Sequence, residues 1–519
     1  MDHPQAVRAF CRVTVWAWKS NSNKDNPIVV SKTLIPKPFP NSVKPIAHQL
    51  FSLGVSQQRA VTAQDSCTKD HTTLLVESYY EHQSLKALVD KLNKKASCPL
   101  EILQDDGDWS KDHFWTVIRF LQHSSRSKEI LQVFDAWKNK EISRNNELNF
   151  EKIIVVLGEE GLVEDAVSAF LEMKSLDLTP SLQIYNSLIH GYARNGKFDD
   201  AFLCLNQMKE INLSPESDTY DGLIQAYGKY KMYDEMGMCL KRMELDGCLP
   251  DQFTYNLLIK EFAHGGLLTR MERVYQSMRT RKMNSESSTS IAMLEAYANF
   301  GIVEKMEKAL RRVRHSKAPL KDDLVRQIAC VYIKNYMFSR LDDLGDYLAS
   351  RTGRTNIVWC LRLLSHACLL SRKGMDSVVK EMEGANVSWN VTIANTILLA
   401  YLKMKDFTRL RTLLSKLPNH NLKPDIVTVG ILFDASSIGF EGTEALQTWK
   451  RMGILYKCAK MNTDPLVLAA FGKGQFVRNC EEVYSSLEPE AREERSWTYY
   501  NLIHLVTKHN EGTLSLKEI

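Results

Sequence analysis

The sequence repeats itself with a step of 35 residues. Methionines, prolines and glycines recur with this step, and so do aromatic residues. The aromatic markers are Trp115, Phe150, Tyr185, Tyr220 and Tyr255. A period of this length is the signature of stacked supersecondary units, none of which can bury its apolar face alone. The repeat therefore predicts a chain that grows in one dimension around a continuous core, rather than a set of separate globular domains.

Each repeat has the pattern of two helices. In the repeat that begins at Leu182, apolar residues follow Tyr185 at the helical spacing of three and four. A second helical face comes after Asn195-Gly196, a pair that supplies a helix stop and a tight turn. Pro215 closes the repeat, because proline cannot continue a helix interior. The sequence thus predicts helical hairpins and an all-α fold.

The register can be followed from residue 112 to residue 425. We predict nine repeats over 112–425, a helical N-terminal cap over 61–111, and degenerate repeats with a C-terminal cap over 426–519. The predicted repeats begin at Asp112, Glu147, Leu182, Ser217, Gln252, Ser287, Asp322, Ile357 and Val391. Terminal repeats are expected to be atypical, because they have no neighbour on one side and must cap the core with polar residues.

The repeat motif resembles a known family. It reads aromatic-Asn-x-Leu-Ile-x-x-Tyr, then Asn-Gly-x-Phe-x-x-Ala, then Met-Lys and a Pro-Asp or Pro-Glu end, most clearly over 185–216 and 395–425. This pattern is similar to the pentatricopeptide repeat family, of the plant organelle type without a C-terminal editing domain. The competing tetratricopeptide repeat is about one residue shorter. The resemblance implies a right-handed superhelical solenoid that binds single-stranded RNA along its concave surface.

The resemblance also implies which residues read the bases. In the family, the fifth and last residues of a repeat read one base, and the second residue helps to sandwich it. The pairs carried over as base readers are Thr116 with Asn146, Asn186 with Glu216, Asp221 with Asp251, Asn256 with Glu286, and Asn395 with Asp425. The other repeats give Glu151 with Ser181, Ile291 with Lys321, Arg326 with Asn356, and Leu361 with Asn390. The first pair looks like an adenine reader and the last like a uracil reader. No target sequence follows, because Ile291 and Leu361, predicted as fifth residues of other repeats, cannot hydrogen-bond a base edge.

The thirteenth residue of a family repeat faces the RNA phosphates. In this chain four of these residues are cations, namely Arg194, Lys229, Lys334 and Lys403. Each of them would neutralise a phosphate in an RNA complex. The alternative interpretation is that a cation near the end of a first helix complements the helix dipole and stays solvated.

The positive charge is concentrated at the N-terminus. The formal net charge is +5, but the first 60 residues hold eight Lys and Arg against Asp2 and Asp25, which leaves 59 basic and 60 acidic residues for the rest. The body is therefore not a generally basic nucleic-acid binder. The acid-poor, Ser- and Pro-marked stretch 1–60 is typical of an organelle transit peptide, and an ordinary disordered tail is the other interpretation. We predict a chloroplast address, with the mitochondrion as the alternative, and no membrane span.

The sequence lacks the motifs of an enzyme. Eleven cysteines occur without a Cys-x-x-Cys pair, which argues against a zinc site or a disulfide framework. His509-Asn510-Glu511 fits half of a zinc deaminase signature whose cysteine half is missing. Gly472-Lys473-Gly474 lacks the Lys-Ser or Lys-Thr pair of a phosphate loop. We therefore predict a protein without catalytic activity, metal or cofactor.

Two functions remain. The first is sequence-specific binding of single-stranded RNA in organelle RNA metabolism, in the processing, splicing or stabilisation of plastid transcripts, together with other organelle RNA-processing proteins. The alternative is a protein-interaction scaffold in an organelle ribonucleoprotein complex with little direct RNA contact. Acidic residues in the predicted groove motivate this alternative, and they are Glu216, Asp221, Asp251 and Glu286.

Overall fold

A computed structural model of the chain describes residues 83–93, 98–316, 318–353, 355–418, 422–487 and 497–509. The predicted transit peptide and the start of the predicted N-terminal cap lie outside these residues. Contacts divide the chain into two compact units. The N-terminal unit takes in the described residues up to 265 together with 272–284, and the C-terminal unit takes in 266–271 and the described residues from 285 onward.

The described residues are helical, apart from turns and one isolated antiparallel bridge between Cys458 and Thr498. The helices are α1 (83–92), α2 (Pro99–Asp105), α3 (Lys111–His123), α4 (Ile130–Lys138), α5 (Glu147–Glu159), α6 (Val163–Ser175), α7 (Leu182–Arg194), α8 (Phe198–Glu210), α9 (Ser217–Lys229), α10 (Tyr233–Leu245), α11 (Gln252–His264), α12 (Leu268–Thr280), α13 (Ser287–Asn299), α14 (Val303–His315), α15 (Asp322–Lys334), α16 (Ser339–Thr352), α17 (Asn356–Cys368), α18 (Arg372–Gly384), α19 (Val391–Lys403), α20 (Phe407–Lys416), α21 (Ile426–Ser436), α22 (Thr443–Arg451), α23 (Pro465–Phe471), α24 (Gly474–Ser486) and α25 (Tyr499–His509).

Local sequence explains where the helices start and stop. Ser181 precedes α7 and its hydroxyl accepts a hydrogen bond from the Ile184 backbone N–H, which satisfies one of the free donors at the helix start. After α7 the chain reverses at Gly196, whose φ of 76° lies in the left-handed region that glycine adopts without strain. Position 231 lacks the glycine of the 35-residue step, and Lys231 takes the same conformation there with φ 62°.

The hairpins stack in each unit through the aromatic and aliphatic stripe of their first helices. In the N-terminal unit α7 packs on α5, α8 and α9, and α9 packs on α10 and α11. Tyr185 and Tyr220 are fully buried in this stack. Burial of a large apolar side chain contributes about 1.5–3 kcal/mol, so each repeat depends on its neighbours for its stability. The predicted fold class, an all-α solenoid of stacked hairpins, is confirmed within each unit.

The register of two repeats differs by one residue from the prediction. Seven of the nine first helices begin at the predicted residue, but α3 begins at Lys111 and α17 at Asn356. Phe114, rather than Trp115, is the fully buried aromatic residue of α3, and Trp359 takes this place in α17. The step of 35 residues misled the prediction here, because adjacent aromatic and apolar residues allow two registers.

The C-terminal residues depart from simple stacking. The helix α21 packs on α19, and α24 packs on α21, as successive helices of a stack would. The short helix α23 instead lies against α15, α17 and α19, the first helices of three earlier repeats. Pro465 begins α23 as its first helical residue, where proline is tolerated. A chain segment therefore turns back along the C-terminal unit before α24 resumes the stack.

Candidate nucleic-acid interface

Residues of adjacent first helices share one face in the N-terminal unit. A cavity of 140 Å³ is lined by Gln183, Asn186 and Arg194 of α7, which are the second, fifth and thirteenth residues of that repeat. Glu159 of the preceding repeat and Asp218 of the following repeat belong to the same lining. Three of the four positions that the family resemblance assigns to an RNA ligand thus lie together. We call this face of the first helices the groove face.

The predicted base-reading side chains at fifth positions are held by the next repeat. The Thr219 hydroxyl donates to Asn186 Oδ1 at 2.7 Å, and the Thr428 hydroxyl donates to Asn395 Oδ1 at 2.9 Å. Each threonine is the third residue of the following first helix. The amide oxygen is therefore used inside the stack, and the amide nitrogen donates to a carboxylate, Asp218 Oδ2 at 3.4 Å for Asn186 and Asp425 Oδ1 at 2.9 Å for Asn395. Asn256 is also buried, and its Nδ2 donates to the Gln252 carbonyl at 2.7 Å.

The predicted base-reading residues at last positions are N-caps of the next first helix. Asn146 accepts a hydrogen bond from the Asn149 N–H at 3.0 Å, and Asp251 accepts from the Thr254 N–H at 2.8 Å. The Glu216 N–H donates to Thr219 Oγ1 at 3.1 Å, while its side chain is exposed. Glu286 is half-buried and accepts from the Ser288 hydroxyl. These residues thus shape helix starts whether or not they meet a base.

Asp221 has an unusual environment for a carboxylate. It is 5 % exposed, and its Oδ1 has no hydrogen-bond partner. Burial raises the pKa of Asp221 to about 7, and the nearby carboxylates of Asp251 and Asp218 act in the same direction, against a hydrogen bond from Thr254. A carboxyl group that is partly protonated near neutral pH can both donate and accept hydrogen bonds.

The four predicted phosphate-binding cations are all exposed at the ends of their first helices. They are Arg194, Lys229, Lys334 and Lys403. Among the described residues, no carboxylate lies within ion-pair distance of any of the four. Their charges are therefore not consumed inside the fold, and they are available to an anionic ligand beside the groove face.

Two exposed apolar residues on the groove face were not predicted from the sequence. Phe253 and Leu148, the second residues of their repeats, are 54 % and 49 % exposed. An exposed ring at this position offers a flat surface for a base. The sequence signal was available, because Phe253 lies off the apolar stripe that continues through Tyr255 and Leu258.

The shift of register changes one predicted reader. Because α3 begins at Lys111, the fifth residue of the first repeat is Trp115 and Thr116 follows it. The Thr116 hydroxyl donates to the Asp112 carbonyl of its own helix at 2.8 Å. For the same reason the fifth residue of the eighth repeat is Cys360, which is buried, and not Leu361.

The predicted uracil-reading pair is occupied by the chain itself. Asn395 and Asp425 are both fully buried and hydrogen-bonded to each other at 2.9 Å. Asp425 Oδ2 accepts from the backbone N–H groups of Asn462 and Thr463 at 3.0 and 2.9 Å, and from the Thr463 hydroxyl at 2.6 Å. Asn395 Nδ2 in turn donates to the Thr463 hydroxyl at 2.7 Å.

The same covering extends to earlier repeats of the C-terminal unit. Asp464 accepts a hydrogen bond from Arg326 Nε at 3.0 Å, and its own N–H donates to the Thr392 hydroxyl at 2.9 Å. Asp464, Arg326, Thr392 and Cys360 are among the residues that line a cavity of 370 Å³ at this place. The groove face of α15, α17 and α19 is thus covered by residues 457–471, which we call the crossing segment.

The described residues hold no group of three or more His, Cys, Asp or Glu side chains arranged for a metal ion. The helices that the structure describes include none that is both long and apolar enough to cross a bilayer. Burial raises the pKa of the Cys204 thiol to about 11 and that of Cys480 to about 12, as expected for cysteines packed in an apolar core.

The chain matches known proteins. The PPR repeat family model matches residues 180–229 and 219–264, and the PPR repeat model matches 153–178 and 253–283. The chain is 63 % identical over 435 residues to a chloroplastic pentatricopeptide repeat-containing protein of Arabidopsis thaliana, covering 83 % of this chain and 87 % of that protein.

Two solved structures are similar at low identity. The pentatricopeptide repeat protein PPR10 from maize is 17 % identical with a TM-score of 0.38, over 86 % of this chain and 72 % of PPR10. Yeast Rmd9p in complex with a 16-nucleotide target RNA is 12 % identical with a TM-score of 0.33, over 84 % of this chain and 94 % of Rmd9p. On the strength of its identity to the Arabidopsis protein over most of both chains, this chain belongs to the pentatricopeptide repeat family.

Proposed function

We propose that this protein binds single-stranded RNA along the groove face of its N-terminal unit and acts in chloroplast RNA metabolism. The observation that carries the proposal is the grouping of second, fifth and thirteenth residues on one face, with Gln183, Asn186 and Arg194 lining a single cavity. A strand of RNA has the same regular repeat of bases and phosphates, so one hairpin can serve one nucleotide.

Each group on the groove face has a role in this proposal. Asn186 hydrogen-bonds a base edge together with Glu216, the last residue of its repeat. Glu286 serves the repeat of Asn256, whose own side chain is fully buried and donates to the Gln252 carbonyl. Asp221, with Asp251, offers a carboxyl group that can donate or accept near neutral pH. Phe253 stacks on a base, and Arg194 and Lys229 each neutralise one phosphate. Asn146 serves the first repeat beside Trp115 rather than beside Thr116.

The cellular role follows from binding rather than from chemistry on the RNA. A strand held along several hairpins is kept single-stranded and is shielded from exonucleases, and flanking sites are exposed to other RNA-processing proteins. The chloroplast is proposed because the similar Arabidopsis protein is named chloroplastic and because the stretch 1–60 has transit-peptide composition.

The test is recovery of RNA from the organelle. The tagged protein is precipitated from isolated chloroplasts, with and without ribonuclease, and both co-precipitated RNA and proteins are identified. We expect one short transcript segment to be enriched and accompanying proteins to be lost after ribonuclease. Partners that stay bound after ribonuclease, with no enriched RNA, would instead establish the scaffold function that the acidic residues of the groove face motivate. Recovery of the protein only in mitochondria would refute the chloroplast assignment.

A further inference from the structure

We infer that the crossing segment ends the RNA-reading surface of this protein: it fills the base-reading position of Asn395 and Asp425 and covers the groove face of three repeats, so that RNA is read by the earlier repeats alone. The inference rests on the proposed RNA binding and adds to it the limit of the binding site. It is carried by hydrogen bonds, by charge and by the anchoring of the segment.

The hydrogen bonds of the Asn395 and Asp425 pair are fully used. Asp425 Oδ1 accepts from Asn395 Nδ2 and from the Thr428 N–H, while Oδ2 accepts from the N–H groups of Asn462 and Thr463 and from the Thr463 hydroxyl. A carboxylate offers about four lone-pair sites, so no acceptor is left for a base. A base would have to break several buried hydrogen bonds before making its own.

Thr463 presents the chemistry that a pyrimidine edge would present. Its hydroxyl donates to Asp425 Oδ2 at 2.6 Å and accepts from Asn395 Nδ2 at 2.7 Å. The Watson–Crick edge of uracil likewise places a donor beside an acceptor. Thr463, which is 4 % exposed, therefore takes the place of a base at the pair that looks like a uracil reader in the sequence.

Charge on the segment also disfavours RNA at this place. Asp464 lies beside Arg326, the fifth residue of its repeat, with its Oδ2 at 3.0 Å from Arg326 Nε. This contact neutralises the cation and brings a carboxylate onto the groove face of the repeat. A phosphate strand approaching the same face would therefore find the charge of Arg326 already paired, and it would also have to displace α23, whose Leu466 and Val467 are buried.

The segment is held from both sides. Ile426 N–H donates to the Lys460 carbonyl at 3.0 Å, and Ala459 N–H donates to the Trp497 carbonyl at 2.8 Å. The hydroxyl of Tyr499 accepts from the Lys460 N–H at 3.1 Å. Such backbone bonds to two other parts of the chain make the segment a built part of the C-terminal unit rather than a loose strand.

The first test opens the groove face in the full-length protein. Thr463→Ala combined with Asp464→Ala removes the side-chain contacts to Asp425, Asn395 and Arg326. Faster exchange of the Asn462 amide than in the parent shows that the segment has opened in the variant. Binding is measured to randomised single-stranded RNAs of increasing length, and the helical circular dichroism signal checks the fold. Each uncovered repeat should bind one base. The RNA length beyond which affinity no longer rises should therefore be about three nucleotides greater in the variant than in the parent.

The outcomes separate this inference from the proposed function. An equal limiting length in parent and folded variant overturns the inference and leaves RNA binding intact. A parent that binds no RNA of any length refutes the proposed function, and the inference falls with it.

A second measurement does not depend on the folding of the opened variant. Asn395→Ser and Asn186→Ser are compared by selection from a randomised RNA pool. We expect Asn186→Ser to change the preference at one base and Asn395→Ser to leave every preference unchanged. A changed base preference in Asn395→Ser overturns the inference.

Discussion

The groove faces of the two units differ although their repeats share one sequence pattern. The main helix contacts of α7 and α9 are with their own and adjacent hairpins, whereas α15, α17 and α19 also contact α23. The Asn186 Nδ2 atom lies 3.4 Å from Asp218 Oδ2 of the adjacent first helix, whereas the Asn395 Nδ2 atom donates to Thr463 of the crossing segment. The comparison teaches that a base-reading motif identifies a position in a repeat and does not establish that the position is accessible.

Two N-cap aspartates at equivalent positions, one in each unit, should differ most in their contribution to stability. Asp425→Ala should destabilise the fold by roughly 3–5 kcal/mol, because it leaves the buried donors of the crossing segment unpaired. Asp251→Ala removes an exposed cap and should cost about 1 kcal/mol. Equilibrium denaturation of both variants measures the difference. Equal costs would mean that the crossing segment does not depend on Asp425.

The next prediction concerns how stability changes with pH at Asp221. Its buried carboxyl group stands at the fifth position, where other repeats have asparagine. Its pKa is about 7 in the folded chain and 3.8 when unperturbed, so the unfolded chain loses the proton first as the pH rises. The stability contributed by the protonated group is complete below about pH 4 and is lost by about pH 7. Asp221→Asn should therefore gain stability relative to the parent between pH 5 and 8, by at most about 4 kcal/mol.

The reverse substitution is the control for Asp221. Asn186→Asp places a carboxyl group at the same position of the preceding repeat, and it should lose stability over the same pH range. Thermal denaturation at several pH values measures both variants. If the difference in stability between Asp221→Asn and the parent does not change with pH, the raised pKa of Asp221 is contradicted.

A third prediction concerns affinity for RNA on the open groove face. Phe253→Ala should weaken binding by about 1–3 kcal/mol, or roughly 5- to 150-fold, because a base loses its stacking partner. The ring is 54 % exposed, so the fold should be little affected. Leu203→Ala is the matched control, since Leu203 is 56 % exposed on the second helix α8. Similar affinity for both variants would remove Phe253 from the interface.

A last and smaller difference is expected among three cations at the thirteenth position. Arg194→Gln should reduce the slope of log affinity against log salt by about 1, as expected for one lost phosphate contact. Lys403→Gln removes a cation that is likewise exposed beside the covered groove face, and Lys334→Gln does the same two repeats earlier. Both should leave the slope unchanged. A reduced slope in Lys403→Gln would show that RNA reaches the C-terminal unit.

The fold was largely predictable from the sequence. The recurrence of Tyr185, Tyr220 and Tyr255 predicted buried stripes and hairpins, since helical spacing reports directly on which residues share a face. The register of α3 was less certain, because Phe114 and Trp115 are adjacent and both fit an apolar stripe. A capping bond from the His113 N–H to Ser110 favours the earlier start.

The covering of the second groove face could not be predicted. The contact of Asp464 with Arg326 spans 138 residues of sequence. Repeat patterns describe contacts between neighbours, and they carry no information about a segment that returns to earlier repeats. The exposure of Phe253, in contrast, can be predicted from the sequence, because Phe253 lies outside the apolar stripe.

Hydrogen–deuterium exchange of the full-length protein, free and with bound single-stranded RNA, tests the central claim most directly. In the free protein, the Asn462 and Thr463 amides should exchange slowly, because both donate to buried Asp425. On adding RNA, protection should increase in and around α7, α9 and α11 and stay unchanged across α15, α17 and α19. Faster exchange at Asn462 and Thr463 with new protection across α15, α17 and α19 would contradict the account, and so would an absence of change in α7, α9 and α11.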